Sequence, residues 1–431
     1  MRDTIFALST SPGVSALAVI RISGPSAFSV LKKLIVGKIP TPRVATLKKV
    51  IWKGEVIDEC IIICFNKGSS FTGEQVVELQ THGSQGIIKR ISSIFIDNDF
   101  LDLRPAEEGE FTRQAFDNGK LDLTQVEGLG DLLRAETESQ RKLSFDSYAG
   151  NLSRQINVWK EKLIIILADF EASIDFSDQD LKKTDILENI DDLMGLMKEQ
   201  ESMYEKVRMV KEGVEVAIIG PPNVGKSTLL NSLSGRNLAL TSRIAGTTRD
   251  IIEAKLEIKG VPVCFLDTAG LHKTKDYLEK KGIALVRERI KGVLTRIVLI
   301  EKEDDLKNIG VRIESSDLIF KSKSDKGNKT KYNGISGKSG TGFDLLLKEI
   351  ELLLPKINHL SAVIIGDRQK KKVNEVIGVL GLLKEGLKED KDTEILAEEC
   401  RRGVMCLEEM SGKIDSEEIL GKIFENFCIG K

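Results

Sequence analysis

A doubly wound α/β domain lying between the two halves of a helical domain, with an α+β domain ahead of both, is the architecture this sequence predicts. Three observations lead to it. Between Gly213 and Pro355, short apolar runs of buried-strand type alternate with helical stretches. One of those runs is followed by Gly220-Pro-Pro-Asn-Val-Gly225-Lys226-Ser227, a GxxxxGK[ST] match that opens a helix. Helical periodicity flanks the unit on both sides, from about Phe116 and again after Pro355.

Residues 1–115 read as α+β, with strands expected at Leu17–Ile22, Glu59–Phe65 and Gln75–Gln80, set apart by Gly, Pro and Ser punctuation. Residues 116–212 form the first helical half. There Ile186, Ile190, Leu193, Met197, Tyr204 and Val207 fall on one face of a long helix, as packing requires. Residues 213–355 supply strands at Val214–Ile219, Val261–Leu266, Ile297–Ile300 and Asp317–Phe320. Helices are expected at Thr228–Ser234, Leu278–Lys291 and Phe343–Leu353. The stretch Glu301–Ser316 is short and highly charged for a crossover, so its peripheral helix is expected to be trimmed. Residues 356–431 return to helix. Val373, Val376, Ile377 and Leu380 make one stripe, and Asp415 with Glu418 makes a capping box ahead of Ile419, Leu420, Ile423 and Phe424.

Composition narrows the setting. A chain of 431 residues, 41% hydrophobic and 30% charged, has room for two or three domains of ordinary soluble type. No apolar run approaches the roughly 20 residues needed to span a bilayer, and Asp3 within MRDTIFALSTSPG argues against a signal peptide. Six cysteines without CxxC spacing point away from a zinc site or a disulfide framework, and towards a reducing cytoplasm without membrane attachment. With 64 basic and 66 acidic residues there is no global positive field, so a nucleic acid would need a local patch or a partner subunit to hold it.

The chemistry lies in five ordered elements. In the first, Asn223, Val224, Gly225, Lys226, Ser227 and Thr228 carry the chain from loop to helix. Glycines let successive N–H groups face phosphates, and the helix N-terminus adds its dipole. Lys226 is placed to neutralise β- and γ-phosphate charge, and Ser227 to ligate Mg²⁺. Gly246-Thr247-Thr248-Arg249-Asp250 lies between these and the next element, where a switch threonine completes the Mg²⁺ shell. Asp267-Thr268-Ala269-Gly270 ends a strand about 40 residues after Ser227, as a water-mediated Mg²⁺ ligand and γ-phosphate sensor should. Ser322-Lys323-Ser324-Asp325 stands at the place of NKxD, where Asp325 would accept from guanine N1–H and the 2-amino group. Ser336-Gly337-Lys338 occupies the last base-contacting loop. Together these predict a Ras-like G domain that binds GTP.

Two features shape the expected mechanism. Leu271 stands where a Ras-type protein has its water-positioning glutamine. Asn223, with an extended segment from Leu240 to Gly246, offers an amide oxygen and backbone carbonyls suited to a large monovalent cation. Such an ion could supply charge otherwise provided by an arginine finger, worth up to roughly 10³–10⁵ in rate.

Motifs spread along the whole chain resemble the MnmE (TrmE) family of bacterial tRNA-modifying GTPases. They include Ala18-Val-Ile-Arg21-Ile-Ser-Gly24, Ser70-Phe-Thr-Gly-Glu74, Val77-Glu78-Leu-Gln80, Gly109-Glu-Phe-Thr112, Gly119-Lys120-Leu-Asp-Leu123 and the ending Phe427-Cys428-Ile-Gly-Lys431. The resemblance implies an N-terminal tetrahydrofolate-binding and dimerisation domain, a discontinuous helical domain and the inserted G domain. It implies a homodimer working with an MnmG (GidA)-type flavoprotein to install an aminomethyl-type group at C5 of the wobble uridine of certain tRNAs. A 5-formyl- or 5,10-methylene-tetrahydrofolate is the implied one-carbon source. By motif, folate contacts fall on Arg21, Glu78 and Lys120, with Lys431 and Cys428 in a tail said to approach that site. Potassium contacts fall on Asn223, Ser242, Ile244 and Thr247, with Arg243, Ala245 and Gly246 in the same nucleotide-facing segment. Mg²⁺ contacts fall on Ser227 and Thr248, and a water-orienting glutamate on Glu279. Lys226, Thr248 and Glu279 are thus the expected catalytic set.

One departure stands out: Ser322 replaces the usual Asn of NKxD, which is expected to weaken a brace on the phosphate loop and to loosen guanine affinity. The alternative function is a regulatory P-loop GTPase, for instance in ribosome assembly, whose N-terminal domain binds a partner. Arg21, Glu78, Lys120 and the Cys428 tail distinguish the two, because an assembly GTPase needs none of them.

Overall fold

The computed structural model describes residues 3–97, 100, 102–175, 183–235, 253–267, 289–290, 292–309, 311–326, 331–356, 362–412, 417–424, 427 and 429–430. The chain divides into two compact units: Met1–Leu133 with Ser147–Leu193 and Gly378–Lys431, and Arg134–Asp146 with Met194–Ile377.

In the first unit, strands β1 (Thr4–Leu8), β2 (Ser15–Ser23), β3 (Thr46–Trp52), β4 (Glu55–Phe65), β5 (Val76–Gly83) and β6 (Leu103–Pro105) form one sheet in the order β3-β4-β5-β2-β1-β6. Neighbours are antiparallel except β1 and β6. Period-2 alternation sends Ile20, Ile22, Ile62, Val77 and Leu79 into a core beneath helices α1 (Ala27–Leu34) and α2 (Gln85–Asp97). The three expected strands lie in β2, β4 and β5. The reading missed β1, which is only five residues long, β3, whose Lys48 and Lys49 interrupt any apolar run on an edge strand, and β6, which is three residues long.

Helices α3 (Glu110–Asp117), α4 (Leu123–Arg134), α5 (Glu138–Tyr148), α6 (Asn151–Asp175) and α7 (Lys183–Glu212) follow. All six residues of the stripe expected on α7 are buried.

The second unit holds β7 (Val214–Ile219), α8 (Lys226–Ser234), β8 (Glu253–Ile258), β9 (Val261–Asp267), β10 (Thr295–Ile300), β11 (Leu318–Lys321), β12 (Asn333–Gly334) and α9 (Phe343–Leu353). The sheet order is β12-β11-β10-β7-β9-β8, parallel except for β8 against β9. This is the predicted doubly wound α/β sheet. The crossover between β10 and β11 is trimmed as expected, to a single 3-10 segment at Glu303–Asn308. β11 begins one residue later than expected because the Asp317 backbone N–H donates to the Glu314 carbonyl at 3.1 Å in the preceding turn. The Asp317 carboxylate accepts from Arg296 Nε at 2.6 Å and from the Glu314 backbone N–H at 2.7 Å. Removing one partner from so buried an ion pair would cost about 3–5 kcal/mol. The N-terminal turn of α5 and the residues before it belong to this unit. Thr137 Oγ1 donates to the Gly260 carbonyl at 2.9 Å and Lys255 pairs with Glu136 at 3.1 Å, so the β8–β9 turn is held from outside the sheet.

Three helices complete the chain: α10 (Asp367–Lys388), α11 (Thr393–Ser411) and α12 (Glu417–Phe424). On α10 Val373, Val376 and Leu380 are buried as expected, but Ile377 is only half-buried and Val379 takes the inward position. In α11 the Asp392 side chain caps the Glu394 N–H, and Cys400 Sγ donates to the Leu163 carbonyl of α6 at 3.4 Å. The helix expected at Leu278–Lys291 falls almost wholly outside the described residues, as does Asp415 of the expected capping box. Among the described residues no helix is long and apolar enough to cross a membrane.

Burial pushes the thiols of Cys60, Cys64 and Cys400 up to about 12, 11 and 12, with the Asp58 carboxylate adding to the effect at Cys60. The thiolate is the reactive species. At pH 8, iodoacetamide should therefore leave these three unmodified in the folded protein and alkylate them in guanidinium, as read by peptide mass spectrometry. Rapid native labelling of Cys60 would contradict the packing.

Candidate functional site

Strand order reverses at β7, which lies between β10 on one side and β9 on the other. In an open α/β sheet the crevice at such a switch point, beyond the carboxyl ends of the strands, is where ligands sit. The GxxxxGK[ST] loop leaves β7 at that point. It must pass close to β10: a Cβ at Gly220 would stand 2.4 Å from the Leu299 carbonyl oxygen. Asn223 and Gly225 then take left-handed backbone conformations, with φ of 59° and 107°, before α8 starts at Lys226.

Lys226 turns back into the curl. Its ammonium donates to the carbonyls of Gly220 at 2.9 Å and Pro221 at 3.0 Å, and the residue is only 6% exposed. Burial holds its pKa below the ordinary lysine value, with the Asp267 carboxylate pulling the other way. A desolvated cation among backbone N–H groups at a helix N-terminus is suited to a polyanion such as a phosphate chain.

Beside it, Ser227 Oγ donates to Asp267 Oδ2 at 2.6 Å. Forty residues of chain separate the two, and β9 brings them together by ending at Asp267, opposite Ile218 of β7. A hydroxyl and a carboxylate in adjacent positions are hard oxygen donors, and they fit a divalent cation of the Mg²⁺ type.

At the end of β11 and the following loop a small pocket of about 90 Å³ is lined by Gly225, Thr228, Ser322, Lys323, Asp325, Ser336, Gly337 and Lys338. Ser336 Oγ donates to Asp325 Oδ1 at 2.8 Å, and Lys323 pairs with Glu301. Gly337 lies so close to α8 that a Cβ would stand 2.8 Å from the Leu229 backbone nitrogen. Ser322 Oγ donates to the Val224 carbonyl. The brace on the phosphate loop, expected to weaken when Ser replaced Asn, is therefore present in a shorter form.

Two further expected contacts meet in the first unit. Arg21 and Glu78 are register partners on β2 and β5, and their side chains pair at 2.9 Å, each 19% exposed. Arg21 Nη1 also donates to the Gly430 carbonyl at 3.3 Å, which accepts from Ser9 Oγ at 3.1 Å. Sequence reading missed Ser9, Gly430 and Phe111, whose ring lies 5.7 Å from the Arg21 guanidinium. Phe111 and Gly430 lie in motifs quoted above but with no role read from them, because a pairing that spans almost the whole chain has no local signal. Nearby, a cavity of about 830 Å³ is bounded by the Leu8–Pro12 loop, Ala106, Glu108, Phe427 and Ile429. Lys120 Nζ instead donates to the Gly68 carbonyl at 2.5 Å. Ser242, Arg243, Ile244, Ala245, Gly246, Thr247, Thr248, Thr268, Ala269, Gly270, Glu279, Cys428 and Lys431 lie outside the described residues.

Comparison with known proteins adds the following. The family model described as the MnmE helical domain matches residues 123–428, and that of the GTP-binding protein TrmE N-terminus matches residues 4–120. The tRNA modification GTPase MnmE of Dinoroseobacter shibae is 38% identical over 434 residues, and that of Ruegeria pomeroyi 40% over 434, each alignment covering 100% of both chains. Among solved structures, Era in complex with MgGDPNP and a 16S ribosomal RNA segment is 26% identical over 38% of this chain and 66% of its own, with a TM-score of 0.27.

Lys226→Ala removes the cation at the centre of the loop. Nucleoside triphosphate affinity, measured by fluorescent-analogue titration, should fall at least 100-fold, since several charge-assisted bonds of roughly 1.5–3 kcal/mol each disappear. Unchanged affinity would mean that the phosphates bind elsewhere.

Proposed function

Since this chain belongs to the MnmE family of tRNA modification GTPases, we propose that its P-loop unit hydrolyses GTP to drive a modification at C5 of the wobble uridine of certain tRNAs. The observation that carries this reading is the Lys226, Ser227 and Asp267 cluster at the strand-order switch, on a chain aligned end to end with tRNA modification GTPases. Asp325, held by Ser336, reads the guanine edge with its accepting carboxylate.

Mg²⁺ would be held by Ser227 and Thr248, with Asp267 through water, and would neutralise charge on the β- and γ-phosphates. Potassium would be held by Asn223, Ser242, Ile244 and Thr247, supplying charge where an arginine finger otherwise acts. Glu279 orients the attacking water. Asn223, Val224, Gly225 and Thr228 line the phosphate loop, Arg243 to Gly246 and Thr268 to Gly270 are further GTP contacts, and Ser322, Lys323, Gly337 and Lys338 frame the base.

In our reading residues 1–115 form the folate-binding and dimerisation domain, 213–355 the G domain, and 116–212 with 356–431 the helical domain. Arg21, Glu78, Lys120 and Lys431 hold a tetrahydrofolate that donates one carbon. Glu78 suits the pterin's adjacent N–H donors, and the cations suit its carboxylate tail. The Gly430 carbonyl on Arg21 supports a role for the C-terminal tail, with Cys428, at this site. A homodimer acts in the cytoplasm with an MnmG-type flavoprotein. The partner also answers the charge problem, because a chain with 64 basic and 66 acidic residues needs help to hold tRNA.

Mass spectrometry of tRNA from a deletion strain should show wobble uridines lacking the C5 group. The unaltered gene should restore it, and Glu78→Ala should not, although purified Glu78→Ala still hydrolyses GTP. Normal uridines in the deletion strain would remove tRNA modification from the reading.

Turnover of GTP should be at least tenfold faster in potassium than in sodium at matched ionic strength, a fraction of what an arginine finger supplies. Asn223→Ala should erase the difference, and Glu279→Ala should slow turnover in both salts while GTP still binds. Equal rates in the two salts would take the cation out of the mechanism.

A further inference from the structure

We propose that Ser322 makes the base pocket blind to the N7 edge of guanine, leaving recognition to the Asp325 side. The inference rests on reading the Ser322–Asp325 and Ser336–Lys338 loops as the guanine pocket, and it concerns what this pocket can distinguish.

Guanine N7 is a hydrogen-bond acceptor, so a protein reads it only by offering a donor. Ser322 is 6% exposed and lines the pocket. A serine hydroxyl carries one proton. Here that proton goes to the Val224 carbonyl of the phosphate loop. The hydroxyl oxygen is pressed against the loop: a Cβ at Gly225 would stand 3.1 Å from it. The backbone N–H of Ser322 is also committed, donating to the Ile300 carbonyl at 2.8 Å as β11 leaves the sheet. The next side chain, Lys323, is drawn to the Glu301 carboxylate. Each of these donors on the Ser322 wall has another partner.

An asparagine at this position would differ by one donor. Its amide carries two N–H bonds, so it can brace the Val224 carbonyl and still donate to N7. Serine has to choose, and it keeps the brace. The Asp325 side is unaffected. Its carboxylate, which accepts from Ser336 Oγ, would accept from the ring's N1–H and 2-amino donors. The pocket therefore separates guanine from adenine and hypoxanthine but not from an analogue altered only at N7.

Dissociation constants for GDP, 7-deaza-GDP and inosine diphosphate, measured by titration calorimetry on the full chain, test this. In 7-deaza-GDP a C–H replaces N7 and the Watson–Crick edge is kept. The unaltered protein should bind GDP and 7-deaza-GDP within about twofold of each other, and inosine diphosphate at least tenfold more weakly. Ser322→Asn should make GDP about 2- to 10-fold tighter than 7-deaza-GDP, the range for one neutral hydrogen bond. If the unaltered protein binds GDP more than fivefold tighter than 7-deaza-GDP while still rejecting inosine diphosphate, the proposal falls and the guanine pocket stands. If inosine diphosphate binds as well as GDP, the guanine-pocket reading is overturned and the proposal with it. The comparison in the unaltered protein decides the matter whether or not Ser322→Asn folds.

Discussion

The backbone of the phosphate loop has to curl tightly between β7 and α8, and the second unit is arranged around that requirement. The curl brings Gly220 against the Leu299 carbonyl and puts Asn223 and Gly225 in left-handed conformations. A non-glycine residue in that region is under strain and persists only where its surroundings over-determine it. Three neighbours do so here. Lys226 ties down the Gly220 and Pro221 carbonyls, Ser322 ties down Val224, and α8 begins directly beyond. Two of these ties, from Lys226 and Ser322, come from polar side chains of the candidate site, so the same few donors support the loop and line the site.

That double use explains why donor number matters at this site. Lys226 has three N–H bonds on a compact charge and can exchange carbonyl partners for phosphate oxygens. Ser322 has a single proton and cannot serve two acceptors. Ser227, already bonded to Asp267, brings its oxygen beside the carboxylate, the arrangement a hard cation requires. The hairpin β8–β9 ends at that same Asp267, and its turn is fastened by Thr137 and Glu136 just ahead of α5. A shift of β9 that moved the Asp267 carboxylate would therefore be felt outside the sheet.

In the first unit, alternation along β2 separates two tasks. Ile20 and Ile22 enter the core, while Arg21 between them faces the other way and meets Glu78. The pair is partly buried, and its Coulombic attraction is offset by desolvation. It gains a further acceptor in the Gly430 carbonyl, close to the other end of the chain. A guanidinium held by a carboxylate, a carbonyl and an aromatic ring is well fixed in position.

Much of this was legible in the sequence because it is coded locally. Apolar runs bounded by Gly and Pro marked β7, β9 and β10, and the spacing of Gly220, Gly225, Lys226 and Ser227 marked a phosphate loop, since backbone curl and helix start are properties of adjacent residues. The full-length resemblance likewise came from short motifs. Other features depended on register and topology, which carry no local period. Arg21 meets Glu78 across 57 residues because β2 pairs with β5 in one register, and a slip of one would turn the side chains to opposite faces. Gly430 reaches Arg21 across 409 residues, and Asp317 meets Arg296 across 21. Sequence also showed Ser322 in place of Asn and implied a weakened brace. Only the folded chain, by setting its hydroxyl against the Val224 carbonyl, determined where that one proton goes.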